Sequence, residues 1–181
     1  NVEAKTGTII GHQGANGGDV IGASAGWQLV VVYEDVNRPV RNITLFDGFA
    51  NVTRNNGQNN YDIVFDGFRT IPNGPVNADV VFGSLEGDRD LVGDRLQVLN
   101  RNNSFSDITT SLRPADNFFN SRITQFGANY VNRNPASTNT LGFDAGVFSL
   151  DNPDNTILRN NQTSATLRLT STQETYSLYL L

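Results

Sequence analysis

Turn punctuation is what most limits the fold of this chain. Clusters of Asn, Gly and Pro interrupt it at GANGGD (14–19), NNGQNN (55–60), PNGPVN (72–77), NRNNS (100–104), NRNPAS (132–137) and DNPDN (151–155). Gly and Asn tolerate left-handed backbone angles and Pro cannot donate to a ladder, so each cluster reads as a turn. Between the clusters lie runs dense in Val, Ile, Phe, Leu and Thr: 27–33 (WQLVVVY), 40–46, 61–65, 77–82, 95–99, 145–150, 164–170 and 175–181. Many short β-rich runs separated by turns predict an all-β fold, an antiparallel β-sandwich or jelly-roll-like domain.

Periodicity supports this reading. In SATLRLTS (164–171), Ala165, Leu167 and Leu169 fall on one face, with Thr166, Arg168 and Thr170 on the other. Alternation of that kind marks a strand with one wet side. WQLVVVY is apolar on both sides, which predicts a central strand with Trp27 buried. Only PADNFFNSR (114–122) has helical character, and it is too short to matter. Nothing marks a linker, so residues 1–181 read as one domain, with 1–18 a candidate N-terminal arm and 175–181 a C-terminal strand.

The tetrapeptide FDGF occurs twice, at 46–49 and 65–68. Each copy follows an apolar run, and Gly48 or Gly67 can take a positive φ while Phe returns to an apolar face. Both copies are therefore expected to be folding devices that bend a strand, rather than catalytic sites.

A chain of 181 residues can bury a core without metal or disulfide staples. Its net charge of −5 and pI near 4.7 argue against nucleic acid and anionic membrane surfaces as partners. Lys5 is the only lysine; the remaining cations are arginines such as Arg38, Arg95 and Arg168, suited to forked pairs with carboxylates or carbonyls. With no cysteine, thiolate metal sites, cysteine catalysis and disulfides are excluded. The chain begins at Asn1 without an initiator Met, which reads as processing, and removal of a secretion signal would account for it. No window reaches the roughly eighteen apolar residues of a spanning helix.

One stretch goes beyond generic strand pattern: AGWQLVVVYEDVNRPVRNITLFDGF, residues 25–49. It resembles a β-rich module of bacterial secreted and cell-surface proteins, found beside repeats of the DUF11 type. Further pieces match that module in order: GFRTIPNGPVNADVVFGSLEGDRDLVGDRL, NFFNSRITQFG, RNPASTNTLGFDA and ILRNNQTSATLRLTSTQETY. The resemblance spans roughly residues 25–176, while both termini depart from the module's pattern. It implies an extracellular or cell-surface location, and it brings no catalytic residues with it.

Candidate chemistry is sparse. A Ser–His–acid set would need His12, the only histidine, which sits in the Gly-rich IIGHQGANGG. GANGGD and GASAG lack the strand–loop–helix order and the GK[ST] ending of a phosphate cradle. Glu34 and Asp35 close a strand-like run, but a paired-carboxylate glycosidase would want aromatic platforms as well. The acidic run LEGDRDLVGDRL holds Glu86, Asp88, Asp90 and Asp94, candidate ligands for Ca2+, a hard cation that takes several oxygens from a compact loop. Arg89 and Arg95 could neutralise those acids without metal, and the spacing is not that of an EF-hand. N-x-[ST] triplets at Asn42, Asn51, Asn102 and Asn161 arise readily in a chain so rich in Asn and Thr.

The expectation is therefore a non-catalytic secreted structural protein that partners copies of itself through strand edges and termini, in a filament, surface layer or matrix. TYSLYLL at the C-terminus is either a strand of the chain's own sheet or one completed by a neighbour. The alternative is a cell-surface adhesin whose Thr-rich face (Thr166, Thr170, Thr172) meets glycan or another surface protein. No cofactor is expected beyond the candidate Ca2+.

Overall fold

The computed structural model describes residues 12–13, 19–20, 28–54 and 57–181, the first two pairs by backbone alone. Twelve strands are assigned: β1 (His12–Gln13), β2 (Asp19–Val20), β3 (Asp47–Thr53), β4 (Asn60–Asp66), β5 (Asp79–Gly87), β6 (Asp94–Leu99), β7 (Phe105–Asp107), β8 (Ile123–Gln125), β9 (Ala128–Asn129), β10 (Gly142–Ser149), β11 (Ser164–Ser171) and β12 (Thr175–Leu180). The helical content among these residues is one 3-10 turn, Pro153–Asn155.

Two sheets form a β-sandwich. One has six strands in the order β3-β12-β5-β10-β8-β9, the other four in the order β4-β11-β6-β7, and β1 pairs with β2 separately. All pairings are antiparallel except β10 with β8. Inward residues alternate as the period-two pattern requires: Leu167 and Leu169 of β11, Leu96 and Val98 of β6, Tyr176 and Leu178 of β12, and Ala50 and Val52 of β3 are buried in one hydrophobic cluster. Phe82 lies at its centre, with the Phe118, Phe119 and Phe148 rings 5.4, 5.8 and 6.3 Å away, and Phe119 stacks on Tyr176 at 4.3 Å.

The outer face of the smaller sheet carries the predicted arginine forks. Arg168, opposite Asp62 in the β11–β4 register, makes two bonds to its carboxylate, at 2.6 and 2.8 Å, and lies over the Phe105 ring. Arg95 pairs with Asp107 at 2.7 Å, and Arg38 with Asp35 at 3.7 Å. Turns fall where Asn and Gly cluster. Asn103, Asp154 and Asn155 take positive φ within NRNNS and DNPDN, as does Gly74 within PNGPVN.

Several expectations need correcting. Residues 28–33 of WQLVVVY form no strand and are exposed, with Val31 69% and Tyr33 76% accessible; Trp27 lies outside the described residues. The physical reason is occupancy. The interior positions of the six-stranded sheet are held by β12, between β3 and β5, and by β5, between β12 and β10, so the ladder has no central slot for this segment. Residues 40–45 are likewise irregular and exposed. TYSLYLL, by contrast, needs no correction: of its two readings the strand of the chain's own sheet is the one found, interior and paired on both sides. The 114–122 segment is not helical, yet it supplies Phe118 and Phe119 to the core. Of the candidate arm, residues 1–11 and 14–18 lie outside the described residues.

The two FDGF copies also differ from one another. Gly67 has φ +81, whereas Gly48 lies inside β3 without a positive φ. Phe49 is 68% exposed, so the first copy does not return its second Phe to the core. The leading Phe of each copy is the conserved device in space: the Phe46 and Phe65 rings pack at 4.4 Å and tie the two sheets together.

Candidate functional site

Two regions stand out, one polar and buried, the other apolar and open. The polar region lies beneath the 86–94 loop. Arg113 is fully buried, and its guanidinium is saturated: Nε donates to Thr124 Oγ1 (3.1 Å), Nη1 to Phe118 O (2.6 Å) and Asp144 Oδ1 (2.8 Å), Nη2 to Arg122 O (2.8 Å) and Ala145 O (3.2 Å). It also lies over the Phe82 ring, 4.8 Å from its centroid. Asp144 accepts further bonds from the Ser121 and Arg122 amides. Burial pushes the Asp144 carboxyl up, opposed by Arg113 and those two amides. This knot closes the irregular 110–122 segment onto β10 and β8, giving the Phe118, Arg122 and Ala145 carbonyls a charged donor.

Next to it sit Asp94 and Glu174, 0% and 3% exposed. Asp94 Oδ1 accepts the Phe119 amide at 2.7 Å, and Glu174 Oε2 accepts the Asp88 amide at 3.1 Å. The second oxygen of each, Asp94 Oδ2 and Glu174 Oε1, is buried without a hydrogen-bond donor, although the two carboxyls lie within hydrogen-bonding reach of each other. Burial, with Asp94 alongside, pushes the Glu174 carboxyl up to about 10, and burial raises Asp94 as well. Asn117, bridged to Asp94 through backbone, donates from Nδ2 to Arg89 O at 3.0 Å and leaves its buried Oδ1 unpartnered.

The four acids singled out in sequence do not share one environment. Asp94 is buried, Asp88 and Asp90 are exposed, and Glu86 is half-buried in β5 with φ +72. Among the described residues no group of three or more Asp, Glu, His or Cys side chains is placed to hold a metal ion. The loop arginines do not neutralise these acids: Arg89 Nη2 donates to the Ser121 and Thr138 carbonyls, and Arg95 turns to Asp107. Sequence reading missed Arg113, Asn117, Asp144 and Glu174. Arg113, Asn117 and Glu174 lie in or beside turns, where no alternating pattern marks them, and Asp144 lies in β10 on the face that alternation buries.

The apolar region is a cleft of about 660 Å3 where the two sheets part. Val80, Leu180 and Phe46 line one side, with Phe65, Ala165 and Leu167 on the other, and Val30 and Val32 border it. Residues 28–33 run past this opening as irregular backbone, with no backbone hydrogen bond to any described residue and with Leu29, Val31 and Tyr33 exposed. Gln28 anchors one end, its Oε1 accepting the Tyr179 hydroxyl at 3.3 Å. Among the described residues no helix is long and apolar enough to cross a membrane.

The fold and these two regions define an all-β sandwich with a saturated buried ion pair and an open apolar cleft. In comparison with known proteins, the chain matches no family model, no curated protein and no solved structure.

Proposed function

We propose that this is a non-catalytic structural β-sandwich that associates with copies of itself, secreted or at the cell surface, and builds an extracellular filament, layer or matrix. The observation that carries the reading is the segment at 28–33: apolar, exposed, outside any strand and unpaired among the described residues. Strand addition to a neighbour satisfies both the amides and the side chains of such a segment. Acceptor edges exist. The outer edges β7 and β9 are two or three residues long, but β3 and β4 are seven-residue edge strands carrying exposed Phe49, Tyr61 and Val64. Long edges with apolar side chains are the kind that natural monomers blunt. The resemblance to surface modules adds the location.

Light scattering after size exclusion, with negative-stain microscopy, tests this on the full chain. Wild type should form concentration-dependent oligomers or polymers. Val31→Asp with Tyr33→Asp, both exposed, should yield a folded monomer that melts where dilute wild type does. A wild type that stays monomeric at every concentration overturns the reading.

A further inference from the structure

Three buried oxygens beneath the acidic loop share one defect. Asp94 Oδ2, Glu174 Oε1 and Asn117 Oδ1 are acceptors without a donor, in residues 0%, 3% and 6% exposed. A buried acceptor left unpaired costs on the order of 1–3 kcal/mol, and more when charged, so native proteins supply a proton, a water or an ion. A single proton between Asp94 and Glu174 joins those two oxygens and leaves the third without a donor. The Asn117 amide cannot be turned to donate instead, because its Nδ2 is held by the Arg89 carbonyl of the loop. No arginine donates to them: Arg113 is saturated by Asp144 and carbonyls, Arg89 Nη2 donates to the Ser121 and Thr138 carbonyls while its buried Nε has no acceptor, and Arg95 pairs with Asp107.

We propose that Asp94, Glu174 and Asn117 form a site for a hard divalent cation of calcium's kind, with carbonyls and water completing its shell. Oxygen-only donors, two carboxylates and one amide suit Ca2+, which tolerates irregular shells. The ligands come from the start of β6, the 114–122 segment and the turn before β12. The cation therefore clamps the acidic loop to both sheets, whether or not copies of the chain associate. This set differs from the four loop acids that the sequence points to, sharing Asp94 alone.

The test uses the full chain, stripped with EDTA and titrated with CaCl2 at neutral pH by calorimetry and thermal melting. About one Ca2+ should bind per chain, with a melting-temperature rise of roughly 5 °C or more at saturating concentration. Glu174→Gln should abolish both responses, while Asp90→Asn, on the exposed part of the loop, should keep them. Identical melting in EDTA and Ca2+ with no binding heat overturns the proposal and leaves a shared proton as the resolution. A response lost in Asp90→Asn but kept in Glu174→Gln overturns it too, placing the ion on the loop surface. Should Glu174→Gln not fold, terbium decides: emission sensitised through Tyr176, displaced by Ca2+ and lost in Tyr176→Phe, supports the site, and its absence refutes it.

Discussion

Arg113 shows how much a single side chain can be asked to do in this fold. It meets Asp144 and three backbone carbonyls with no water access, where a lysine would present one compact charge to the same ring of acceptors. Arg113→Lys should lower stability by about 3 kcal/mol or more, read as a lower urea midpoint at unchanged m-value. Glu174 makes a different prediction. In chelator its carboxyl is held up to about 10, above its value in the unfolded chain. A raised folded value means that stability is fully present below the ordinary carboxyl value and is lost as pH climbs towards 10. Melting temperatures in EDTA should therefore fall steadily from about pH 5 to pH 9. Glu174→Gln, which stays neutral throughout, should flatten that slope. The carboxyls facing Glu174 are Asp94 and Asp88, so the slope reports their mutual repulsion together with burial.

At the scale of elements, close approach and pairing decide the consequences of substitution. Gly87 ends β5 where the strand meets both Asp144 and the Phe119 carbonyl, and an added methyl would fall inside contact distance of each. Neither can retreat, since Asp144 is fixed by Arg113 and the carbonyl is backbone. Gly87→Ala should cost about 3 kcal/mol or more, measured by chemical denaturation. The repeated FDGF gives a sharper contrast between its two copies. Phe65 is buried against Phe46, so Phe65→Ala should lose about 3 kcal/mol. Phe49, exposed on edge strand β3, should tolerate Ala within about 0.5 kcal/mol. Equal losses at the two positions would mean that Phe49 is packed like Phe65, contrary to its exposure.

Over the whole molecule, one core joins two unequal sheets, and the larger sheet holds the C-terminal strand in its interior. Among the described residues β3 and β4 are the long edge strands, and the 28–33 segment and the apolar cleft are exposed. If copies associate while folded, mass action raises apparent stability with concentration. The wild-type melting temperature should then rise over a tenfold concentration range, and the Val31→Asp, Tyr33→Asp protein should show no such dependence.

The local pattern was sufficient for the all-β class, for turns such as NRNNS, PNGPVN and DNPDN, and for the inward face of β11, because alternation and turn chemistry are encoded within a few residues. It also marked Arg168 for a forked ion pair, whereas Arg95 makes a single contact to Asp107. The same pattern misassigned WQLVVVY as a central strand. An apolar run says only that a segment prefers burial, and which edge receives it depends on strands more than a hundred residues away. The buried site was illegible for the same reason. Arg113 and Asn117 come from the irregular 110–122 segment, Asp144 from β10 and Glu174 from the turn before β12, and of the buried acids only Asp94 stood out in sequence. Sequence by itself determined what each short segment wants from its surroundings. Only the tertiary structure decided which wants were met, because strand order and the packing of distant turns set where acceptors meet donors, and where three oxygens were left without one.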